Sequence, residues 1–236
     1  MPWIKPQKRG WILAPTCTVL LAVTGLGVSA CASWDEPSAH QNLKKDVVEH
    51  GADADPRDFR GGNIVSDLEE VVPVTNSPEP QLPVSLTDAD GYDVVVEDVS
   101  RILALDFYGT FTKTVRGLGL ADNLVGRTVA SQEESLQDLP VVTHGAHALN
   151  AEAILELRPS VLVINHSIGP SEVIDQVREA GVTTVVVEDD HSLEKMGAQI
   201  RRLGEVLGLA DEGVALAQRS EEELADAKAA IAQIAP

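Results

Sequence analysis

The sequence predicts an α/β fold in which a mostly parallel sheet is flanked by helices and followed by one long helix. Short apolar runs alternate with helical stretches between residues 101 and 207, and a Gly or Pro closes most of the helical stretches. Strands separated by helices require right-handed crossovers, which produce a parallel sheet covered on both faces. The last stretch, residues 211–235, contains no Pro and extends the pattern as a single helix.

The first thirty residues have the pattern of a secretory signal. Three basic residues precede an uncharged run over residues 10–30 that is rich in Leu, Val, Ala and Gly. The small residues directly before Cys31 resemble the lipobox of bacterial lipoproteins, which implies that Cys31 carries the lipid and becomes the first residue of the mature protein. We therefore predict a lipoprotein signal peptide over residues 1–30. An ordinary signal peptide with a chance cysteine is the alternative.

Charge and cysteine content narrow the class of protein. The chain has 37 acidic and 18 basic residues, a formal net charge of −19. This charge argues against nucleic acid and anionic lipid headgroups as direct partners. Cys17 lies in the segment that would be removed, so the mature chain keeps only Cys31 and forms no internal disulfide. Its stability must therefore come from the burial of apolar side chains.

A polar linker separates the signal from the folded part. Residues 31–81 are acidic and contain several prolines, without a sustained apolar period, so we predict a flexible acidic tether. Apolar runs at 84–86 and 92–96 flank a Gly-containing turn and predict a β-hairpin. We place the start of the N-terminal α/β lobe at residue 82 and its end at residue 210.

The elements of this lobe follow from apolar periodicity and from helix-terminating residues. Buried strands are predicted at 101–105, 123–126, 161–164 and 182–187. Helices are predicted at 110–118, 150–157, 171–180 and 192–207. Asn150 is the predicted N-cap of the second of these helices.

The final helix has a narrow apolar face. Its apolar residues form a thin stripe among Glu, Gln, Asp and Lys side chains. A long helix of this kind suits a spine that lies along one domain or between two, so residues 211–236 are predicted as an interdomain spine helix. A terminal helix packed on its own domain is the alternative.

The loops at the carboxyl ends of the strands are the expected ligand site, because open α/β sheets bind ligands at this edge. The stretch VVTHGAHALN leads into a helix N-terminus and opens on the same rim. Five ring side chains fall in these loops: Tyr108, His144, His147, His166 and His191. Plain alternatives exist, in which the tyrosine packs in the core and the histidines bond to backbone, start a helix or face solvent.

Few features of the sequence indicate catalysis. The sequence has no Gly-x-Ser-x-Gly elbow, no phosphate-binding Gly-x-x-x-x-Gly-Lys loop and no His-Glu-x-x-His helix. A zinc site built from His144, His147 and His166 is conceivable because imidazole suits zinc. A general base paired with these histidines is missing from the pattern. We predict a protein that is not an enzyme and keep a zinc-dependent lipoprotein enzyme as the alternative.

Four segments carry a resemblance to a known family. RILALDFYGT, GLADNLVG, NAEAILELRP and GPSEVIDQVREAGVTTVVV occur in this order. From about residue 82 to residue 236 the chain resembles the helical-backbone (class III) group of periplasmic-type substrate-binding proteins. Within that group it is most similar to the haem-binding lipoproteins of the HmuT type, which serve haem ABC importers of Gram-positive actinobacteria.

The resemblance implies a function in transport. A lipoprotein of this kind captures haem b outside the cell and delivers it unchanged to the permease and ATPase subunits of an ABC importer. It is extracytoplasmic and is anchored to the cell membrane through the lipid on Cys31. Haem is then the transported ligand and serves no catalytic reaction.

The resemblance also implies site residues. In the family a histidine just before the Leu-Asn-Ala-Glu helix start ligates the haem iron, and this position is His147. We expect His144 to be a near neighbour that can substitute or hydrogen-bond, and Tyr108 to contact the porphyrin. Ala146 departs from the Gly that precedes the histidine in relatives, which affects the expected local turn.

A larger departure concerns the second lobe of the family. Its Tyr-x-Arg motif follows the spine helix, and this chain reaches Pro236 without one. We therefore expect the second lobe to be missing from this chain and haem binding to be weaker by orders of magnitude, because one axial ligand and half of the buried surface are lost. A siderophore or corrinoid binder is the alternative within the same fold, and a surface lipoprotein without a ligand is another.

Overall fold

The computed structural model describes residues 70–145 and 148–234, which all fall in one compact unit. The predicted signal peptide, Cys31 and most of the predicted tether lie outside the described residues, and so does His147. Among the helices of the described ranges, none is both long and apolar enough to span a membrane.

Seven strands and five helices make up the described part of the chain. The strands are β1 (Val84–Thr87), β2 (Asp93–Val96), β3 (Ile102–Leu105), β4 (Thr143–His144), β5 (Ala148–Leu149), β6 (Val161–Ile164) and β7 (Thr184–Val186). The helices are α1 (Thr110–Gly117), α2 (Ala151–Glu156), α3 (Ser171–Glu179), α4 (Met196–Val206) and α5 (Ala210–Ile234). Short 3₁₀ turns occupy Ala121–Asn123 and Glu134–Leu136.

The central sheet has three parallel strands in the order β3-β6-β7. Ile102 pairs with Val161, and Val163 pairs with Val185. Each step between neighbouring strands passes through at least one helix. The predicted α/β fold with a parallel sheet is therefore confirmed, and so is the hairpin, in which β1 and β2 pair in antiparallel register.

Every side chain of β3 and β6 is buried, because helices cover the sheet on both faces. On one face, Ile102 and Ala104 join a core with residues of α1, α4 and α5. On the other face, Leu103 and Leu105 join a core with residues of α2 and α3. Each fully buried Leu, Ile or Val side chain stabilises the fold by about 1.5–3 kcal/mol.

Helix α5 packs on the lobe along its first half only. Its early residues Leu216 and Ala217 are buried in the first core. Gly204 of α4 and Gly213 of α5 allow the two backbones to approach closely, since a Cβ on Gly204 would lie 2.7 Å from the Cα of Gly213. Between residues 218 and 232 no side chain is buried. The long final helix is confirmed, and its role as an interdomain spine stays a prediction.

Three predicted elements differ from the structure: one strand is not formed, and one helix and one strand have other bounds. The strand predicted at 123–126 is wrong, because the Asn123 amide turns back to the Val99 carbonyl (3.0 Å) and only Leu124 forms a bridge to β3. Helix α4 begins at Met196 rather than at residue 192, since residues 193–195 form a turn. Strand β7 is shorter than predicted and covers Thr184–Val186.

Residues 70–81, assigned above to the tether, lie along the lobe. The Val74 N–H donates to the Gly117 carbonyl (2.8 Å), and the Gln81 N–H donates to the Gly208 carbonyl (2.8 Å). Val71 and Val74 pack against the first core. The lobe as the structure describes it therefore includes this segment, which docks by main-chain hydrogen bonds that a polar composition does not reveal.

Candidate ligand-binding site

Three loops leave the carboxyl ends of the central strands: residues 106–109 after β3, residues 165–170 after β6, and residues 187–195 after β7. Because these strands are parallel neighbours, their carboxyl ends meet at one edge of the sheet. We call this edge the rim. The turn of the β1–β2 hairpin reaches it too, since the Ala89 N–H donates to the Val186 carbonyl (2.8 Å).

Asp106 organises the first loop of the rim. Its side chain is buried and its oxygens accept hydrogen bonds from the N–H groups of Thr110 (3.0 Å) and Phe111 (3.1 Å). These bonds satisfy the free donors of the first turn of α1. Gly109, at φ 71°, makes the turn into the helix. The loop thereby presents Tyr108, whose side chain is about half exposed (52%).

The second loop is tied to the first by Ser167. Its hydroxyl donates to Asn165 Oδ1 (2.5 Å) and accepts a hydrogen bond from the Phe107 N–H (3.0 Å). Asn165 is completely buried, and its amide donates to Asp189 Oδ1 of the third loop (3.5 Å). The rim is therefore held together by side-chain hydrogen bonds among all three loops.

Tyr108 and His191 meet at the rim. Their ring centroids are 4.3 Å apart with an interplanar angle of 64°, which is an edge-to-face contact. His191 Nε2 also lies 2.5 Å from Asp189 Oδ1, so a carboxylate sets the orientation of the imidazole. The structure thus brings together two predicted ring residues that are far apart in sequence.

His166 bonds to a carboxylate, whereas the alternative given in the sequence analysis was a bond to backbone. Its Nε2 lies 2.7 Å from Asp90 Oδ1 in the hairpin turn. Arg178 of α3 donates to the buried Asp88 (2.9 Å) and stands over the ring of Tyr92, 4.0 Å from its centroid. This network fastens the hairpin turn to the rim.

Two short strands of the VVTHGAHALN stretch, β4 and β5, pair in antiparallel register, whereas a plain loop was predicted. Thr143 pairs with Leu149, and His144 pairs with Ala148. The Leu149 N–H donates to the Gly169 carbonyl (2.8 Å), which joins this hairpin to the loop after β6. His144 is exposed, and His147 lies outside the described residues. As predicted, the Asn150 side chain caps α2 by accepting from the Ala153 N–H (3.3 Å).

Charge at the rim is shaped by hydrogen bonds to carboxylates. The hydroxyl and the N–H of Ser192 lower the pKa of Asp190 below its ordinary value, so this carboxylate stays ionised over a wider pH range. Within the two described ranges, no three His, Cys, Asp or Glu side chains are grouped closely enough to hold a metal ion. The zinc site predicted from His144, His147 and His166 includes His147, which lies outside the described residues, and it stays a prediction.

Two cavities open beside the rim. The smaller, about 330 Å³, lies between the hairpin turn and α4, and charged residues line it: Asp88, Glu188, Asp190, Lys195 and Arg202. The larger, about 530 Å³, lies among α1, α4 and α5. Tyr108 and His191 line it together with apolar side chains such as Leu193 and Met196. Its volume is within the range of small-molecule sites.

Sequence reasoning missed the acidic partners of the rim. Asp90 and Asp189 orient two of the predicted histidines, and Asp106 fixes the loop of Tyr108. Asp106 directly follows β3 and Asp189 lies three residues after the end of β7, so their positions after strands were an available signal. Asp90 lies 76 residues from His166, so no local pattern could connect them.

Comparison with known proteins identifies the family to which this architecture belongs. A profile of the family described as "Periplasmic binding protein" matches residues 107–236, more than half of the chain. The curated protein "Uncharacterized ABC transporter substrate-binding lipoprotein YvrC" of Bacillus subtilis (strain 168) is 26% identical over 148 residues, which cover 61% of this chain and 46% of that protein.

Solved structures give closer matches. The crystal structure of heme binding protein HmuT is 57% identical, with a TM-score of 0.75, and the match covers 78% of this chain and 59% of that one. A single-residue variant of it is 54% identical, with a TM-score of 0.77, 81% coverage of this chain and 60% of that one. The apo form of the periplasmic heme-binding protein RhuT from Roseiflexus sp. RS-1 is 30% identical, with a TM-score of 0.50, over 54% of this chain and 48% of that one.

The chain spans less than two thirds of the length of each of these relatives. The part that it does span carries the α/β lobe, the rim and the long helix, and the family profile runs through all three. The resemblance seen in the sequence is thereby confirmed at the level of the family, and the chain belongs to the periplasmic binding proteins.

Proposed function

We propose that this chain is the haem-binding lobe of a substrate-binding lipoprotein, which captures haem outside the cell membrane and delivers it to an ABC permease. The observation that carries the proposal is its high identity to the solved heme binding protein HmuT across most of the described residues. The protein performs no chemistry on haem in this proposal. Its permease and ATPase partners follow from the same similarity and from the ABC lipoprotein relative.

The chemistry of the rim supports haem as the ligand. Haem requires a side chain that can coordinate iron, and histidine is a common axial ligand. It also requires apolar or aromatic surface for a flat ring. The rim offers the exposed His144 and the half-exposed Tyr108, next to a cavity of about 530 Å³ with apolar walls.

Within this proposal His147 is the axial ligand of the haem iron. The hairpin supports the role, because its strands β4 and β5 are fixed by pairing and by the bond from Leu149 to Gly169. His144 is then a neighbour that substitutes or hydrogen-bonds, and Tyr108 contacts the porphyrin. The lipid on Cys31 holds the protein extracytoplasmically at the cell membrane, because a lipid anchor allows a soluble acidic lobe to remain there.

A haemin titration followed by Soret absorbance tests the proposal and the ligand assignment together. The unmodified chain should show a saturable Soret shift. His147→Ala should weaken haemin binding at least about tenfold, because it removes a metal ligand, whereas His144→Ala should change it by less than about threefold. His50→Ala, a histidine in the predicted tether, is the matched control and should leave the titration unchanged.

The opposite pattern would reassign the ligand. If His144→Ala abolishes the shift and His147→Ala does not, His144 coordinates the iron. If the unmodified chain shows no saturable shift, the proposal that this lobe binds haem is wrong.

A further inference from the structure

Among the described residues, none with an acidic side chain lines the larger cavity, although the chain as a whole contains 37 Asp and Glu residues. The smaller cavity beside the rim shows the contrast, because Asp88, Glu188 and Asp190 line it. An acid-free concave surface on an acidic protein favours an anionic ligand, since nearby carboxylates would repel one. We call the larger of the two cavities the acid-free cavity.

One lysine, Lys113 of α1, lies in the wall of the acid-free cavity. It is partly buried, and within the described residues no carboxylate lies at ion-pair distance from its ammonium. By contrast, Arg116 is paired with Glu70 and Arg201 with Glu221. A partly buried ammonium without a counter-ion costs desolvation free energy, and an anionic ligand would recover it.

The rest of the cavity wall suits a flat apolar body. Tyr108 and His191 present an edge-to-face ring pair at the rim. Leu193 is 55% exposed, and Met196 is partly buried beside it. Haem combines these two requirements, because its macrocycle is flat and apolar while one edge carries two propionate carboxylates.

We infer that the acid-free cavity receives the propionate edge of the ligand and that the Lys113 ammonium pairs with a propionate there. This inference rests on the proposed function and deepens it by naming a specificity residue away from the iron. Tyr108 and His191 then contact the porphyrin between the carboxylate edge and the iron. Lys113 selects the ligand by charge, whereas His147, the axial ligand in the proposed function, selects it by metal coordination.

The test compares haemin with its dimethyl ester, which keeps the iron and the ring but lacks the two negative charges. In the full chain, Lys113→Gln should weaken haemin binding about tenfold, the effect of losing a charged hydrogen bond. Lys113→Gln and the unmodified chain should bind the ester equally. Lys113→Arg should restore most of the haemin affinity. Lys228→Gln, an exposed lysine of α5, is the matched control and should leave haemin binding unchanged.

Two results would overturn the inference. In the first, Lys113→Gln binds haemin as tightly as the unmodified chain, which would show that Lys113 does not pair with a propionate. The lysine would then pair with another anion, such as a carboxylate of the chain itself. In the second, Lys113→Gln weakens haemin and the ester equally, which indicates a structural effect. If neither form binds haemin saturably, the proposed function fails first, and the titration of the unmodified chain shows this separately.

Discussion

The side chain of Asp106 lies where strand β3 ends and helix α1 begins. It accepts hydrogen bonds from Tyr108, Thr110 and Phe111 within one short loop. A buried carboxylate with this many donors stabilises the loop, and it also fixes the direction in which Tyr108 leaves the backbone. Within the proposed function, in which Tyr108 contacts the porphyrin, Asp106 therefore affects both the stability of the loop and the position of a ligand-contacting side chain.

Replacing Asp106 by alanine should be costly. Asp106→Ala leaves several donors of the first turn of α1 without an acceptor, so we expect the free energy of unfolding to fall by about 2–4 kcal/mol. Urea unfolding followed by circular dichroism measures it. Asp138→Ala, an exposed aspartate, is the control and should change the value by less than about 0.5 kcal/mol. A loss of less than about 1 kcal/mol for Asp106→Ala would show that water replaces the carboxylate without difficulty.

The sequence predicted that the ring residues of the site lie at one edge of the sheet, but it did not predict which side chains they contact there. Tyr108, His166 and His191 were found because each follows a strand, and the parallel sheet then brings them to one edge. The contact of Tyr108 with His191 and that of His166 with Asp90 depend on loop conformations and on distant parts of the chain. Such contacts leave no local periodicity in the sequence.

Among the elements, those buried on two faces were the easiest to predict. Strands β3 and β6 are continuous apolar runs because both of their faces are covered. The β4–β5 hairpin around His144 was not predicted although its strands are close in sequence, because each strand has only two residues and shows no period. The apolar residues near 124 predicted a strand, but a strand also needs a partner, and Leu124 forms only one bridge.

The segment 70–81 shows how an acidic stretch docks on the lobe. Glu70 forms an ion pair with Arg116, and its carboxylate accepts a hydrogen bond from the Ser135 N–H (2.8 Å). Chiefly through this backbone hydrogen bond, the pKa of Glu70 is held below its ordinary value of 4.5. The ionised form is therefore favoured in the folded protein.

A pH-dependent stability difference follows for Glu70→Gln. A carboxylate whose pKa is lowered by folding stabilises the protein above its unfolded pKa, and this contribution is lost as the pH falls through the folded pKa. The unmodified chain should have a higher urea midpoint than Glu70→Gln at neutral pH, and the difference should shrink from about pH 5 to about pH 3. Glu79→Gln, an exposed neighbour, is the control. A difference that stays constant with pH would show that the charge of Glu70 does not stabilise the docked segment.

At the scale of the whole molecule, the net charge of the chain and the charge of the proposed ligand have the same sign. The chain has a formal net charge of −19, and haem, the proposed ligand, carries two carboxylates, so long-range electrostatics disfavour their encounter. Within the proposed function, local features must offset this repulsion. The acid-free cavity with Lys113 is the feature that we propose for this role.

The central claim is that haem is the ligand, and calorimetric titration of the unmodified chain with haemin, a ferric siderophore and cobalamin tests it most directly. Haem alone needs an axial side chain from the protein, whereas the other two bring their metal already coordinated. We predict saturable binding of one haemin per chain and no measurable heat from the other two ligands. Saturable binding of the siderophore or of cobalamin, with only nonspecific haemin uptake, would contradict the account.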